Sequence, residues 1–294
     1  MEPKFDGRQE LSEPFIPGLR YLFSKLFHQT ALRLSNLHHR DPIIVFTMGK
    51  VGSKSIAESI HAILPKVPVY HVHYITQEGL AFHKHVSLSP HRLQLGRPHW
   101  TGHYLRKEIN KNHHIWNVIT LVRDPIARNI SAFFYDIKRW IPNFDDSYVD
   151  STEKIDMIKN VFLEEFPSEI PLTWLDQELK DIFGVDVYNS QFPLSIGYQL
   201  YSGVHANLLL IRLEDLNNVI DEAMKKYLNI DDFKLLKANI ASESRYSGVY
   251  RKFLSQVSLP EDYVTKMYSS RFAKHFYSIN ELEGFRTKWL NARY

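Results

Sequence analysis

The chain has 294 residues, enough to bury the core of one large α/β domain or of one domain with an appended subdomain. Its hydrophobic content of 44% and charged content of 23% are ordinary for a globular protein, and a formal net charge of +3 gives no argument for nucleic acid as a partner. Because the sequence contains no cysteine, disulfide bonds and thiolate chemistry are both excluded.

Residues 1–40 are predicted to form a helical extension that precedes the main domain. Within residues 15–27, apolar side chains recur on one helical face, namely Phe15, Leu19, Leu22, Phe23 and Leu26. We interpret this segment as a helix packed on the domain, with an interfacial membrane helix as the alternative. No stretch is apolar enough to span a bilayer and no signal-peptide pattern is present, so we expect a cytoplasmic protein, membrane-associated only if residues 15–27 contact lipid.

Residues 43–64 are predicted to form a strand, a glycine-containing turn and a helix, in that order. The run IIVF suits a buried strand, Gly49 and Gly52 mark the turn, and apolar residues then recur at helical spacing until Pro65. Glycines let backbone N–H groups converge on one point and the helix N-terminus adds its dipole, so this arrangement favours an anion. Side-chain donors stand at the same place, namely Lys50, Ser53, Lys54 and Ser55.

The run VPVYHVH is predicted to be a second strand that carries a pair of histidines. His71 and His73 are two residues apart, so their side chains leave the same face of the strand. Further along, His99 and His103 would be one turn apart on a helix, although Gly102 weakens the helical prediction. Without cysteine or a carboxylate at ligand spacing, we do not expect these four histidines to hold a metal.

The run IWNVITLVRDPIARNISAFFYDIKRW predicts a third strand and a second strand-to-helix turn. Arg123 ends the strand, Asp124 stands where an N-cap belongs, and Pro125 takes the first helical position. A fixed cation at a strand end, beside the guanidinium of Arg128 and the hydroxyl of Ser131, makes a second anion site. The alternative is a local Arg123–Asp124 ion pair with Ser131 as an ordinary helix residue.

The remaining sequence completes the prediction of the fold. Residues 207–211, NLLLI, indicate a further buried strand, and an amphipathic helix follows. Alternating short apolar strands and helices predict an α/β fold with a mostly parallel central sheet flanked by helices. We interpret residues 41–294 as a single domain with a helical insertion at about 140–205 on the acceptor side and a helical C-terminal tail. Ligands are then expected at the carboxyl ends of the strands, where the two turns converge.

The first turn does not match the loop of nucleotide-hydrolysing proteins. That loop needs a glycine directly before its Lys-Ser pair and another glycine five residues further back, but Ser53 and Met48 stand at these positions. No acid ends an apolar strand in a position to hold magnesium, because Asp124 is predicted to be a cap. A P-loop nucleotide kinase or NTPase with a degenerate loop is therefore a disfavoured alternative.

Three motifs in this order resemble those of sulfotransferases that use 3′-phosphoadenosine 5′-phosphosulfate (PAPS). KVGSK at residues 50–54 resembles their 5′-phosphosulfate loop, LVRDPIARNISAFF resembles their 3′-phosphate motif, and IRLEDL is similar to a later strand-end segment. Within this superfamily, RDPIARNISAFF is most similar to uronyl and heparan sulfate 2-O-sulfotransferases. The whole layout, including WLDQELKDIFGVDVY and RYSGVYRKF, is similar to a bacterial family of capsular polysaccharide synthesis proteins. The resemblance implies a P-loop-containing, sulfotransferase-like fold.

The resemblance also implies a reaction: in-line transfer of a sulfuryl group from PAPS to a hydroxyl of a carbohydrate or glycolipid, without a metal. Lys50 would neutralise the bridging oxygen as its bond to sulfur breaks, the turn would hold the 5′-phosphate, and Arg123 with Ser131 would hold the 3′-phosphate. The residues implied to bind PAPS are Lys50, Gly52, Ser53, Lys54, Ser55, Arg123 and Ser131.

A histidine is the implied general base, because its unperturbed pKa lies close to working pH. Sulfotransferases place this base either after the second strand or in the segment that precedes the 3′-phosphate arginine. The second position favours His103, and His73 is the alternate. A catalytically inactive nucleotide- or glycan-binding protein is the alternative outside enzymes, and the sequence leaves the oligomeric state open.

Overall fold

The computed structural model describes most of the chain, namely residues 41–87, 97–111, 115–144, 152–236 and 247–291, together with Leu26. The extension predicted for residues 1–40, with its amphipathic segment 15–27, therefore lies outside the described residues apart from Leu26, which is helical and exposed. Within the described part of the chain, no helix is both long and apolar enough to cross a bilayer.

Five strands of the described residues form one sheet. Their bounds are β1 Ile43–Phe46, β2 Val69–Val72, β3 Trp116–Val122, β4 Tyr198–Ser202 and β5 Ala206–Arg212. The strands lie in the order β2-β1-β3-β5-β4, in which β4 alone is antiparallel to its neighbour. The predicted α/β architecture with a mostly parallel sheet is therefore confirmed.

The central strands are apolar on both faces because helices cover the sheet. Every residue of β1 is buried, and so is every residue of β3 and β5 except Asn117 and Asn207, which pair with each other in register. These continuous apolar runs are what the sequence pattern had predicted for buried parallel strands.

Helices account for most of the other described residues. Their bounds are α1 Ser53–Ile63, α2 Gln77–Ser87, α3 Arg97–Lys111, α4 Pro125–Tyr135, α5 Ile137–Trp140, α6 Thr152–Glu165, α7 Ile170–Trp174, α8 Asp181–Phe183, α9 Leu216–Leu228, α10 Ser247–Gln256, α11 Glu261–Tyr268, α12 Arg271–Phe276 and α13 Ile279–Leu290. A π-helical turn, Leu175–Lys180, joins α7 to α8.

The strand order reverses between β1 and β3, and this reversal positions the candidate site. From β1 the chain passes to β2 on one side, and it returns to place β3 on the other side. The carboxyl ends of β1 and β3 therefore lie next to each other. In open α/β sheets, ligands bind at such a point, because the loops that follow the two strands diverge and leave a crevice.

The last part of the predicted helical insertion is a strand. β4 pairs with β5 and forms one edge of the sheet, whereas the sequence predicts a helical insertion at about 140–205. The run YQLYS alternates between side chains with more and less exposure, as a half-buried edge strand does. Gly197, with a φ of 79°, makes the turn into it. In the sequence this alternation covers only five residues and follows a turn-rich run, so it does not predict a strand by itself.

Gly102 lies inside α3 and does not interrupt it. A Cβ atom at this position would collide with the carbonyl oxygen of Tyr74 and would lie 2.9 Å from the Leu80 side chain. The glycine therefore permits α3 to pack directly on the chain that leaves β2, and this packing outweighs the low helix propensity of glycine.

Replacing Gly102 by alanine should destabilise the fold. The collision with a backbone carbonyl should cost more than the roughly 1 kcal/mol gained in helix propensity, so we expect the free energy of unfolding to fall by about 1 to 2 kcal/mol. Gly284, in α13, is the matched control, because nothing lies within 4 Å of its Cβ position. Gly284→Ala should raise the free energy of unfolding by about 0.5 kcal/mol or more. Equal stabilisation by both substitutions in urea unfolding would contradict the close approach at Gly102.

Candidate functional site

The glycine loop, residues 47–52, connects β1 to α1 in an unusual backbone conformation. Gly52 has a φ of 81° and Lys50 has a φ of 72°, both in the left-handed region. The positive φ of Gly52 favours glycine, and a Cβ there would also lie 2.8 Å from the end of the Leu213 side chain. Gly52 is also the N-cap of α1, and it has no side chain to accept hydrogen bonds from the N–H groups of the first turn. The loop therefore leads into a helix N-terminus suited to an anion.

Two arginines from the second turn bind the carbonyl groups of the glycine loop. Arg123 donates from Nη1 to the Lys50 oxygen at 3.0 Å, and Arg128 donates from Nε to the Gly49 oxygen at 3.0 Å. Arg128 is only 4% exposed, yet among the described residues no carboxylate lies within ion-pair distance of either guanidinium. Arg128 also donates from Nη1 to the Asn129 side-chain oxygen at 3.0 Å. Buried charges in proteins are normally paired, so a buried guanidinium without a carboxylate partner among the described residues favours an anion.

Lys50 adds a third cation to the same place. Its Nζ lies 4.4 Å from the centre of the Tyr135 ring. Burial, together with the charges of Arg123 and Arg128, lowers the pKa of Lys50 from its ordinary value to about 8. Burial also lowers the pKa of Arg128 to about 10, with the charge of Arg123 contributing. These depressed values express first the cost of burying positive groups and second their mutual repulsion.

One face of α4 lies against the glycine loop. Arg128 and Tyr135 contact the loop, and Ser131 lies between them at helical spacing, so all three side chains share that face. Ser131 is 8% exposed. The structure thus brings Arg123 and Ser131 to the side of the second turn that faces the Lys50 turn. Whether they bind a phosphate stays a prediction.

Asp124 performs the capping role predicted from the sequence. Its Oδ1 accepts a hydrogen bond from the backbone N–H of Ile126 at 3.0 Å. The same carboxylate also accepts from the Tyr268 hydroxyl at 2.8 Å and from the Trp289 indole N–H at 3.3 Å. Burial raises the pKa of Asp124. These contacts tie α11 and α13 to the turn that presents Arg123.

The IRLEDL segment after β5 contacts both turns. Leu213 packs against Gly52, and the Glu214 carboxylate accepts the backbone N–H of Asp124 at 2.8 Å. Tyr277 donates a hydrogen bond to the other Glu214 oxygen at 3.1 Å. The segment therefore holds the two strand ends in a fixed relation.

One ring nitrogen of His73 is hydrogen-bonded to a backbone carbonyl, and the other faces the glycine loop. Its Nδ1 lies 2.7 Å from the Thr47 carbonyl oxygen, which can only accept, so Nδ1 carries the proton and Nε2 is the basic atom. Nε2 lies 4.0 Å from the Cβ position of Gly49. Burial lowers the pKa of His73 to about 4, and the charges of Arg128 and Lys50 act in the same direction. The ring is therefore neutral at pH 7.

His71 is engaged differently from its neighbour. The two rings lie 4.9 Å apart, as expected for residues on one face, but His71 Nε2 lies 2.8 Å from the hydroxyl oxygen of Ser53. Burial, with the charges of His73 and Lys54, lowers the pKa of His71 to about 3. The Ser53 hydroxyl, predicted as a phosphate ligand, is thus bound to His71 in this structure.

The remaining residues predicted for the site lie on α1 and α3. The Lys54 side chain is 52% exposed and its Nζ lies 3.5 Å from the Glu58 carboxylate. Ser55 is in the first turn of the same helix. His103 lies on α3, where its ring is 4.7 Å from His99 and 6.1 Å from Trp100. Of the two histidines predicted as the base, His73 is the one that contacts the glycine loop.

Arg128 and Tyr135 have contacts at this site that the sequence does not predict. Arg128 is not among the residues that the resemblance implies to bind PAPS, and Tyr135 is not among the residues predicted for the site. Their helical spacing from Ser131 was a usable signal, because a residue that faces a ligand implies that its neighbours one turn away face it too. Among the described residues, no group of three or more His, Cys, Asp or Glu side chains could hold a metal ion.

Comparison with known protein families gives a match over part of the chain. A family model described as "Putative capsular polysaccharide synthesis protein" matches residues 146–278, which include β4, β5 and helices α6 to α12 but neither the glycine loop nor Arg123. No curated protein and no solved structure matches the chain. Over these residues the chain is therefore similar to a family named for the synthesis of capsular polysaccharides.

Proposed function

We propose that this protein is a PAPS-dependent sulfotransferase that modifies a hydroxyl group of a carbohydrate or glycolipid. The observation that carries the proposal is the cluster of Lys50, Arg123 and Arg128, in which cations from two strand-to-helix turns meet at the switch point of the sheet with no carboxylate beside them among the described residues. A nucleotide with phosphates at both its 3′ and 5′ positions supplies anionic groups for both turns.

The fit assigns each turn to one end of that nucleotide. The first-turn N–H groups of Ser53, Lys54 and Ser55, with Lys50, would hold the 5′-phosphate. Arg123 and Ser131 would hold the 3′-phosphate, and Arg128 strengthens the same end. PAPS, when bound, supplies the sulfuryl group. No bound metal is needed by this assignment, because the cations are side chains.

The chain's own groups can complete the transfer. An oxygen–sulfur bond forms to the acceptor hydroxyl while the bond between sulfur and the bridging oxygen breaks. His73 Nε2 takes the acceptor proton, since Nδ1 is held by the Thr47 carbonyl. Lys50 offsets the charge that develops on the leaving 5′-phosphate. His103, favoured by the resemblance, remains the competing candidate for the base.

A nucleotide kinase or NTPase fits the site less well. Asp124 is the acid at the end of β3, and its carboxylate is directed to Ile126, Tyr268 and Trp289. These hydrogen bonds direct the Asp124 carboxylate away from the glycine loop. Nucleotide hydrolysis, in contrast, needs an acid that faces the metal-bound phosphates. The similarity to a family named for capsular polysaccharide synthesis supports a glycan as the acceptor.

Thermal unfolding in the presence of nucleotides tests the donor assignment. Adenosine 3′,5′-bisphosphate at about one hundred times its Kd should stabilise the fold by about 2.7 kcal/mol and raise the Tm by several degrees without magnesium. ATP should have a much smaller effect, because it lacks a 3′-phosphate. Stabilisation by ATP with magnesium and not by the bisphosphate would refute the proposal. Stabilisation by the bisphosphate without transfer of labelled sulfate to any glycan would indicate a binding protein.

A further inference from the structure

A cleft of about 760 Å³ runs along the edge strand β2, between α1 and α3. Its residues on the α1 side extend from Lys54 to Pro65, which corresponds to about 16 Å along the helix axis. One end is bordered by His73 and Tyr135, and Tyr135 is the ring that lies beneath the Lys50 ammonium group. The cleft therefore begins at the proposed reacting centre and leads away from it.

The two walls of this cleft carry an excess of positive charge. Lys54 and Lys66 line one wall, and Arg97, the first residue of α3, lines the other. Among its described lining residues the one acid is Glu58, whose carboxylate already lies 3.5 Å from Lys54. Within the described chain, no carboxylate pairs with Lys66 or Arg97.

The shape and lining of the cleft favour a chain-like ligand over a compact one. The cleft extends well beyond its reacting end, and its cations are spread out, with Lys54 and Lys66 along one wall and Arg97 on the other. The exposed Tyr135 ring at the inner end offers a flat face of the kind on which a sugar ring packs. Among the described lining residues, Tyr135 is the one exposed tyrosine, whereas single-stranded nucleic acid is bound by a row of stacking aromatic residues.

We infer that the cleft binds an extended acidic glycan as the acceptor, with anionic groups of the chain at Lys66 and Arg97 and the hydroxyl to be modified beside His73. This inference rests on the proposed function for its reacting end, but the preference for an acidic glycan is a separate property. Long-range attraction between the basic walls and such a polymer should weaken as the salt concentration rises.

Binding measurements with defined oligosaccharides test the inference. The probes are oligogalacturonate, neutral malto-oligosaccharide of the same length and a short single-stranded oligonucleotide, each titrated with and without saturating adenosine 3′,5′-bisphosphate. The wild type should bind oligogalacturonate at least about ten-fold more tightly than the neutral probe. The double variant Lys66→Ala/Arg97→Ala should lose most of that preference. Lys107→Ala, an exposed lysine of α3 outside the cleft, should retain it.

The outcomes separate this inference from the proposed function. If the bisphosphate stabilises the protein but the acidic and neutral probes bind equally, or the double variant keeps the preference, the inference is wrong and the donor assignment stands. The inference is also wrong if oligogalacturonate does not bind, if the oligonucleotide binds more tightly, or if the bisphosphate displaces the acidic probe. Loss of bisphosphate binding together with a preference that depends on Lys66 and Arg97 would instead refute the donor assignment alone.

Discussion

Replacing Lys50 by methionine should lower the turnover number for sulfuryl transfer by about 10²- to 10³-fold, because it removes the cation nearest to the charge that develops on the leaving phosphate. Methionine keeps the length of the side chain and its packing on Tyr135, so the fold should be retained. The left-handed backbone at residue 50 is equally demanding for both side chains. The measurement is a rate of labelled sulfate transfer at saturating PAPS and acceptor, with Tm as the test of folding.

The pH dependence of the Lys50→Arg variant tests whether the reaction requires the positive charge of residue 50. Since the pKa of Lys50 in the free protein is lowered to about 8, the wild-type kcat/KM for PAPS should fall as the pH rises through that value. Arginine stays protonated there, so the variant should lose this alkaline limb. Lys225→Ala is the matched control and should behave as the wild type, because Lys225 is an exposed lysine of α9 that pairs with Asp231. Full turnover by Lys50→Met would remove Lys50 from the mechanism.

The local features of the two turns could be predicted from the sequence, because each depends on residues close together in the chain. A strand, a glycine turn and a helix were predicted around residues 43–64, and the structure contains them. The Asp124 cap was predicted for the same reason, since an N-cap binds an N–H two or three residues away. The pairing of His71 and His73 on one face followed from the strand period of two.

Features that depend on distant residues could not be predicted. Asp124 binds Tyr268 and Trp289, which lie 144 and 165 positions further along the chain, and no sequence period records such contacts. The different partners of His71 and His73 arise because one faces α1 and the other faces the carbonyl of Thr47. From the sequence, Gly102 weakens the prediction of a helix. The structure shows instead that the carbonyl group of Tyr74, which is distant in the chain, leaves no room for a Cβ at this position. The roles of these residues in binding and transfer stay predictions.

Replacing His73 by alanine should lower the turnover number by about 10²- to 10⁴-fold if His73 is the general base. The Thr47 carbonyl fixes the tautomer that leaves Nε2 basic, and Nε2 lies on the side of the ring next to Gly49. His205→Ala is the control, because His205 is an exposed histidine in the turn before β5. Folding is checked by Tm and by binding of the bisphosphate, which both variants should retain.

The pH profile and chemical rescue distinguish His73 from His103. A base must be neutral to accept a proton, and the pKa of His73 in the free protein is lowered to about 4, so wild-type kcat/KM should hold well below the ordinary histidine pKa of about 6.5. Two phosphate groups bound beside Lys50 and Arg128 should raise this pKa, so the acid limb of kcat should lie at higher pH than that of kcat/KM. Added imidazole should partly restore His73→Ala, because it fits the space that the ring has left. If His103→Ala loses turnover and is rescued by imidazole while His73→Ala stays active, the base lies on α3 and the position of His73 beside the loop is structural.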